Sequence, residues 1–329
     1  MLNAHNVLQL GWQSAFGTAN GTATRKLQNV SSFKLRPEFE TRALDQMRGT
    51  LAPTHQTTLD RYLSSATAET SDTDYEELNY WLEMLFGTVT PSGSANPYTR
   101  TYAAPTTAAI TPHFATLQFG QTNEVWQMQD ASVTSLTLSG AANSGVSVGA
   151  SLMGGLVKEG ALAVLSDSTT GTRLSGCMAS VKLADWSSST FTALASSAFS
   201  WELSINANRV YDNFLGECTP SKAYDGKWTG QLKLSVELNN TSDDLLIAML
   251  PATKGSKILE KRVQIVYTTG TGTDLRSMTI DFAGHSMQAP ELFQDKNGLM
   301  TYDLVLDGVY NSTAANWLTI KTESALATV

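Results

Sequence analysis

The chain has 329 residues, enough for two ordinary domains or one large one on a soft scale of ~150 residues per domain. Hydrophobic residues make up 42% and charged residues only 16%, below the ~25% of an average domain, so Ser, Thr, Asn and Gly must cover much of the surface. The net charge of -8 comes without any basic block, which argues against a protein that grips nucleic acid through many phosphates, and no run nears the ~20 apolar residues a membrane helix needs.

The charge is shared evenly. Residues 1–160 hold 9 basic against 13 acidic residues and residues 161–329 hold 13 against 17, a net -4 in each half. The first residues show no basic segment followed by an apolar block, so the expectation is a chain that is soluble where it is made. Cys177 and Cys218 have no CxxC spacing and no matching histidine, and read as two reduced thiols.

In chain order, residues 1–26 are rich in Gly, Ala, Thr and Asn and read as an extended arm, without core residues of its own, that orders on assembly. VSSFKLRPEF alternates as a strand, and residues 36–53 read as a long charged loop. TTLDRYLSSATAET is a strand leading into TDYEELNYWLEMLFG, where Tyr75, Leu78, Leu82 and Leu85 recur at helical spacing. Thr73 with Glu76 fits a capping box, and Gly87 stands where the helix would stop. HFATLQFG, EVWQMQDA, SVTSLTLSG and GVSVGASLMGG follow as short strands.

The second half replays this order. AFSWELSINANRV is a strand, YDNFLGECTPSKAYDGKWTG a loop, QLKLSVEL a strand, and NTSDDLLIAML a short helix ended by Pro251. RVQIVYTTG and LRSMTIDFAG form a hairpin around TGTGT, and LMTYDLVLDGVY closes the half. The expected fold is therefore mainly β: two tandem β-sandwich or barrel domains, each flanked by a short helix. Their ranges are residues 27–160 and 161–329, the second with an insertion near 161–198.

Catalytic signatures are missing from the text. His5, His55, His113 and His285 are isolated from other metal-ligand types, and GxSxG, HExxH and P-loop patterns do not occur. GTGTD at 270–274 fits a hairpin turn better than a phosphate loop. Glu76, Glu77 and Glu83 read as a solvated helix face near the positive end of the helix dipole. The tryptophans, among them Trp81, Trp126, Trp186, Trp201, Trp228 and Trp317, are scattered over several elements, which fits packing better than a stacking platform. What stands out is the charge run Arg36, Glu38, Glu40, Arg42, Asp45 and Arg48, which reads either as a mobile solvated loop or as a docking loop that pairs its charges on a neighbouring subunit. No catalytic residue, cofactor or metal is expected.

The run LRPEFETRALDQMRGTLAP, followed by a strand and YEELNYWLEMLFG, resembles the opening of the phage tail tube protein family of long-tailed phages. SWELSINANRVYDNF and GKWTGQLKLSVEL resemble its later segments. The resemblance spans most of residues 27–310. It implies a non-enzymatic virion protein that self-assembles into stacked rings, whose inner strands line a channel for DNA. It also implies a place in the virion tail, with host cytoplasm as the site of assembly, and contacts with tape-measure and tail-tip or terminator proteins. Two tube-like domains per chain would give a homotrimer with pseudo-sixfold symmetry in preference to a hexamer. The alternatives are a single-ring tail component, such as a distal tail or terminator protein, and a carbohydrate-binding β-sandwich using Trp126 or Trp228.

Overall fold

Alternation of apolar and polar residues decides the architecture, because a period of two places one set of side chains on each face of a strand. The computed structural model describes residues 6–43, 57–93, 95–121, 124–167, 171–194, 198–238, 259–286, 294–296 and 298–329. In chain order the elements are β1 (Val7–Trp12), β2 (Arg25–Leu27), β3 (Val30–Ala43), β4 (Thr57–Thr70), helix α1 (Glu77–Phe86), β5 (Tyr98–Ala103), β6 (Ala115–Gln121), β7 (Glu124–Ala141), β8 (Ser147–Gly154) and β9 (Val157–Glu159). They continue with β10 (Ala179–Asp185), β11 (Thr192–Ala193), β12 (Ala198–Asn206), β13 (Arg209–Asp212), β14 (Lys222–Asp225), β15 (Thr229–Glu237), β16 (Glu260–Thr269), β17 (Arg276–His285), β18 (Gln294–Lys296), β19 (Leu299–Gly308) and β20 (Leu318–Ser324). The fold is mainly β, with α1 the one α-helix among the described residues, and its large antiparallel sheet stays open instead of closing into a barrel.

The pairings form two sets with the same pattern. In the first, β1 pairs with β2 and β6, β3 with β4, β4 with β8, and β7 with β6, β8 and β9. In the second, β10 pairs with β11 and β16, β12 with β15, β15 with β19, and β17 with β16 and β20. There β17 and β18 together take the place of β7, both pairing with β19. The correspondence reaches the register: a bulge falls between Val30 and Ser32 in β3 and between Ala198 and Ser200 in β12. Two strand pairs join the sets, β7 with β12 and β5 with β20.

A seven-stranded row results, in the order β3-β4-β8-β7-β12-β15-β19. Ala68, Ala150, Leu138, Leu203, Leu232, Leu234 and Leu304 lie on its buried face and join a core that also holds Leu8, Leu10, Met128, Ile265, Ile280 and Ile320. Helix α1 is wholly buried, with Tyr75, Leu78, Leu82 and Leu85 at 0% exposure, as their spacing predicts.

Several expectations are corrected. Residues 36–43 are strand, paired with 57–65 of β4, and not loop; Arg36, Glu38, Glu40 and Arg42 recur at every second position, which is itself a strand pattern. The N-terminal stretch from residue 6 has core residues of its own: β1 pairs with β2 and β6 and buries Leu8 and Leu10. The stretch read as an insertion contains β10 and β11, which pair as β1 and β2 do. EVWQMQDA and SVTSLTLSG are one strand, β7, bent where Asp130 adopts a positive φ of 53°. The loop read over 211–230 contains the β13–β14 hairpin and the first residues of β15.

At the start of α1, Thr73 is not the cap. Asp74 Oδ1 accepts the Glu77 N–H at 2.5 Å, while Gly87 ends the helix with φ 83° and donates its N–H to the Glu83 carbonyl. Glu77 and Glu83 are buried instead of solvated, since backbone and side-chain partners from distant segments enclose them. The helix expected within 240–250 lies outside the described residues.

Candidate assembly surface

The second face of the seven-stranded row is polar. Ser/Thr positions dominate it in the middle (Ser135, Thr137, Ser139, Ser147, Ser151, Ser204, Ser235), because each alternates with a core residue. Its charged residues include Lys34, Arg36, Arg61 and Lys233 against Glu38, Glu40, Glu69, Glu202, Glu237, Asp303 and Asp307. Lys233 is held by Asp303 at 2.9 Å and Glu38 accepts the Ser65 hydroxyl at 2.6 Å, so carboxylate is in excess on this face.

Both ends of the row are edges. Among the described residues β3 pairs as a strand with β4 alone, and β18, beyond β19, with β19 alone. Along the open side of β3 runs a groove of about 570 Å³ lined by Leu8, Leu27, Val30, Phe33 and Phe119 together with polar Gln28, Ser31, Ser32 and Lys34 and the Lys26–Asp167 ion pair. Its counterpart in the second set is lined by Ala179, Leu194, Ala198, Trp201 and Tyr267, together with the end of β7, Gly140–Ala142. There β7 is hydrogen-bonded to the edge of β12, with Ala141 opposite Ser200 and the Ala142 N–H on the Phe199 carbonyl at 3.0 Å. The aromatic pair recurs as well: Phe33 and Phe119 have ring centroids 4.9 Å apart, Trp201 and Tyr267 6.1 Å, the latter bonded from indole N–H to hydroxyl at 2.8 Å.

An arm from the second set reaches across the first. At Asn208, with φ 47°, the chain leaves β12 and enters the β13–β14 hairpin. Arg209 is fully buried there and uses all five guanidinium N–H groups. They go to the carbonyls of Met84 (3.0 Å), Leu85 (2.8 Å) and Val133 (2.9 Å), and twice to the Asp225 carboxylate. Helix α1 has no basic residue in its last turn, so this arginine, far along the chain, supplies the cation that the helix C-terminus favours. The Tyr211 hydroxyl lies 2.7 Å from the Asp130 carbonyl and 2.9 Å from that of Met153, and burial raises its pKa. Farther out, the Tyr62 N–H donates to the Cys218 carbonyl at 2.7 Å, laying the arm on β4.

Of the residues singled out by sequence, Arg36, Glu38 and Glu40 line one depression of about 390 Å³ with Phe39, Arg61 and Leu63. Arg42 lies in β3, while Asp45 and Arg48 fall outside the described residues. Arg209 was not singled out, although a signal for it exists. Residues 42–53, RALDQMRGTLAP, align without gaps with 209–220, RVYDNFLGECTP, matching at Arg42/Arg209, Asp45/Asp212, Gly49/Gly216 and Pro53/Pro220.

Elsewhere, buried ionisable groups serve the fold. Glu77 accepts the Asn29 and Gln28 N–H groups at 3.0 and 3.2 Å, yet burial pushes its carboxyl up to about 7. Glu83 lies 3.3 Å from His113 Nδ1 and 3.8 Å from Arg100 Nε, and His113 stacks on Trp12 at 3.9 Å. Among the described residues no three His, Cys, Asp or Glu side chains are grouped as metal ligands would be. Of the two tryptophans named for the carbohydrate alternative, Trp228 is buried, 5.1 Å from Phe86 with its indole donating to Asp225, while Trp126 is exposed.

A family model described as phage tail tube protein matches residues 3–305, most of the chain. No curated protein matches it.

Proposed function

Because the chain belongs to the phage tail tube protein family, a structural component of the phage tail, we propose that it acts by closing into rings that stack into a DNA-conducting tube, without catalysis. The observation that carries this reading is the seven-stranded row: one face is sealed by the core, the other is open, hydroxyl-rich and acidic, and among the described residues its end strand β3 pairs with β4 alone.

A channel for DNA must not hold it. Each lysine or arginine offered to the duplex would release counterions and add affinity, whereas carboxylates repel phosphate and hydroxyls are neutral toward it. The polar face, with Glu69, Glu202, Asp303 and Asp307, is therefore the lumen wall. The two ends of the row are the lateral contacts. Within the chain, the β7 side of the first set is seated on the edge of β12; the groove beside β3 is the same seat without an occupant, and the β18 side of a second copy fits it. Repeating that step turns two tandem units per chain into a closed ring. Three copies give the six units of a pseudo-sixfold ring, and closure leaves no unpaired edge.

The test is negative-stain electron microscopy of the purified chain over a concentration series. Hollow filaments with threefold or pseudo-sixfold end views are expected. Persistent monomers at every concentration would overturn the assembly reading, and isolated rings that never stack would favour the single-ring alternative.

A further inference from the structure

We infer that rings stack by seating Met300 of one copy in an apolar hollow, floored by Trp228 and Trp317, on a copy in the next ring. This rests on the ring-and-tube reading and names its axial contact. In a ring closed through the two ends of the row, the strand ends are what one ring presents to the next. β19 carries complementary shapes at its two ends.

Tyr302, Leu304 and Leu306 alternate on the core face of β19 at 0–1% exposure. The series runs past the core in both directions. At the start of the strand Met300 holds the next place, 57% exposed, with exposed Leu299 beside it. At the far end the next place is Gly308, where a Cβ would lie 2.5 Å from Trp317 Cε3, so the indole takes the space of the missing side chain. Gly230 of the neighbouring strand β15 yields to it in the same way, with a Cβ 2.5 Å from Trp317 Cζ3. Over this indole and that of Trp228 opens a cavity of about 740 Å³, with Ile110, Val309 and Tyr310 in its walls. Both indoles are fixed within the chain. Trp228 donates to Asp225 Oδ2 at 3.0 Å, and Trp317 meets Phe282 edge-on with centroids 5.9 Å apart. A hollow formed in advance loses little to ordering when it is filled.

Projection and hollow thus sit at opposite ends of one strand, and a copy displaced along the strand brings one to the other. Such a contact joins unlike surfaces and repeats without limit, as a stack requires and a twofold dimer does not. Methionine suits the role, because its unbranched thioether adapts to an irregular apolar space. Charge agrees with shape. Asp295 lies opposite Met300 in the β18–β19 hairpin, and Lys227 lines the hollow; both are exposed, so seating the methionine brings carboxylate to ammonium.

The experiment uses the full-length chain with Cys177 and Cys218, both exposed, replaced by serine, and combines Met300→Cys with Tyr310→Cys. β19 holds these two sites roughly 20 Å or more apart, against at most ~7 Å between the Cα atoms of a disulfide, so any bridge joins two copies. Oxidised filaments should give covalent ladders on denaturing gels, which neither single variant gives. In parallel, Met300→Lys is followed by thermal unfolding and negative-stain microscopy. An unchanged midpoint, closed rings and a filament threshold raised at least ~10-fold are expected, because the new ammonium enters an apolar hollow that already holds a lysine. Filaments of Met300→Lys at the wild-type threshold, or oxidised filaments without the ladder, would overturn the inference and leave the tube reading standing. Loss of rings together with filaments would make the contact lateral and overturn it as well. A wild-type chain that never assembles removes the tube reading, and the inference with it.

Discussion

Glu77 offers a quantitative test of how the first unit is held together. Its carboxylate joins the start of α1 to the turn before β3 through the N–H groups of Gln28 and Asn29, but its Oε1 has no partner and Asp74 adds a neighbouring negative charge. Burial is the largest influence, and the folded pKa rises from 4.5 to about 7. A carboxyl with a raised folded pKa binds its proton more tightly in the native state. Its contribution is greatest below the unfolded pKa, is lost as pH rises from 4.5 to about 7, and is flat above that. At ~1.4 kcal/mol per pKa unit, this amounts to roughly 3 kcal/mol across the window. Glu77→Gln removes the titration and keeps one oxygen to accept the Asn29 N–H. Urea unfolding of the unassembled chain at pH 4.5, 6 and 8 should therefore show a wild-type loss of stability that exceeds the variant's by roughly 3 kcal/mol. A variant that retains the wild-type pH dependence would refute the assignment, whatever its absolute stability.

Three further outcomes follow from the geometry. In Gly140→Ala, the new Cβ would lie 2.5 Å from the Tyr267 hydroxyl and 2.7 Å from Trp201 Nε1, so the β7–β12 joint should lose ~1–3 kcal/mol, measured by chemical denaturation; wild-type stability would contradict the close approach. Leu10→Ala removes a side chain with 0% exposure and should cost ~2–5 kcal/mol even without assembly; a neutral effect would restore the picture of an N-terminal arm that orders only in the tube. Replacing exposed Glu69 and Glu202 by lysine should make assembled tubes retain duplex DNA at low salt and release it as salt rises. Filter binding across a salt series would show this, and tubes that ignore DNA equally before and after the change would remove the polar face from the lumen.

How much of this was legible in the sequence depended on how local the deciding contacts are. Helix α1 could be read because Tyr75, Leu78, Leu82 and Leu85 carry the helical period within a dozen residues. The burial of Glu77 and Glu83 could not, since their partners Asn29 and Arg100 come from other segments. β1 was taken for an arm because VLQLGW is short, and its main partner, β6, lies over a hundred residues on. The charges of residues 36–42 suggested a loop by composition, while their spacing of two already described a strand. At the candidate assembly surface the sequence singled out the charges of 36–48 and passed over Arg209. The role of Arg209 cannot be read from local sequence, because its acceptors at Met84, Leu85 and Val133 lie 76 to 125 residues away.

The duplication also explains why such a chain tolerates exposed edges. In the proposed ring, a row that ends in two unlike strands, β3 and β18, would pair head to tail, a contact that propagates until the ring closes. Before closure, β3 is an exposed edge of a long sheet, the usual starting point for aggregation. It carries Pro37, which an edge strand tolerates and a central one does not, and the cations Lys34 and Arg36 beside it. The equivalent strand β12, covered by β7 inside the chain, has Ile205, Glu202 and Ser204 at the corresponding places. The two strands share a backbone plan and differ where protection matters: β3, the edge that the proposed ring leaves to a second copy, carries the proline and the positive charges, and β12, covered within the chain, does not.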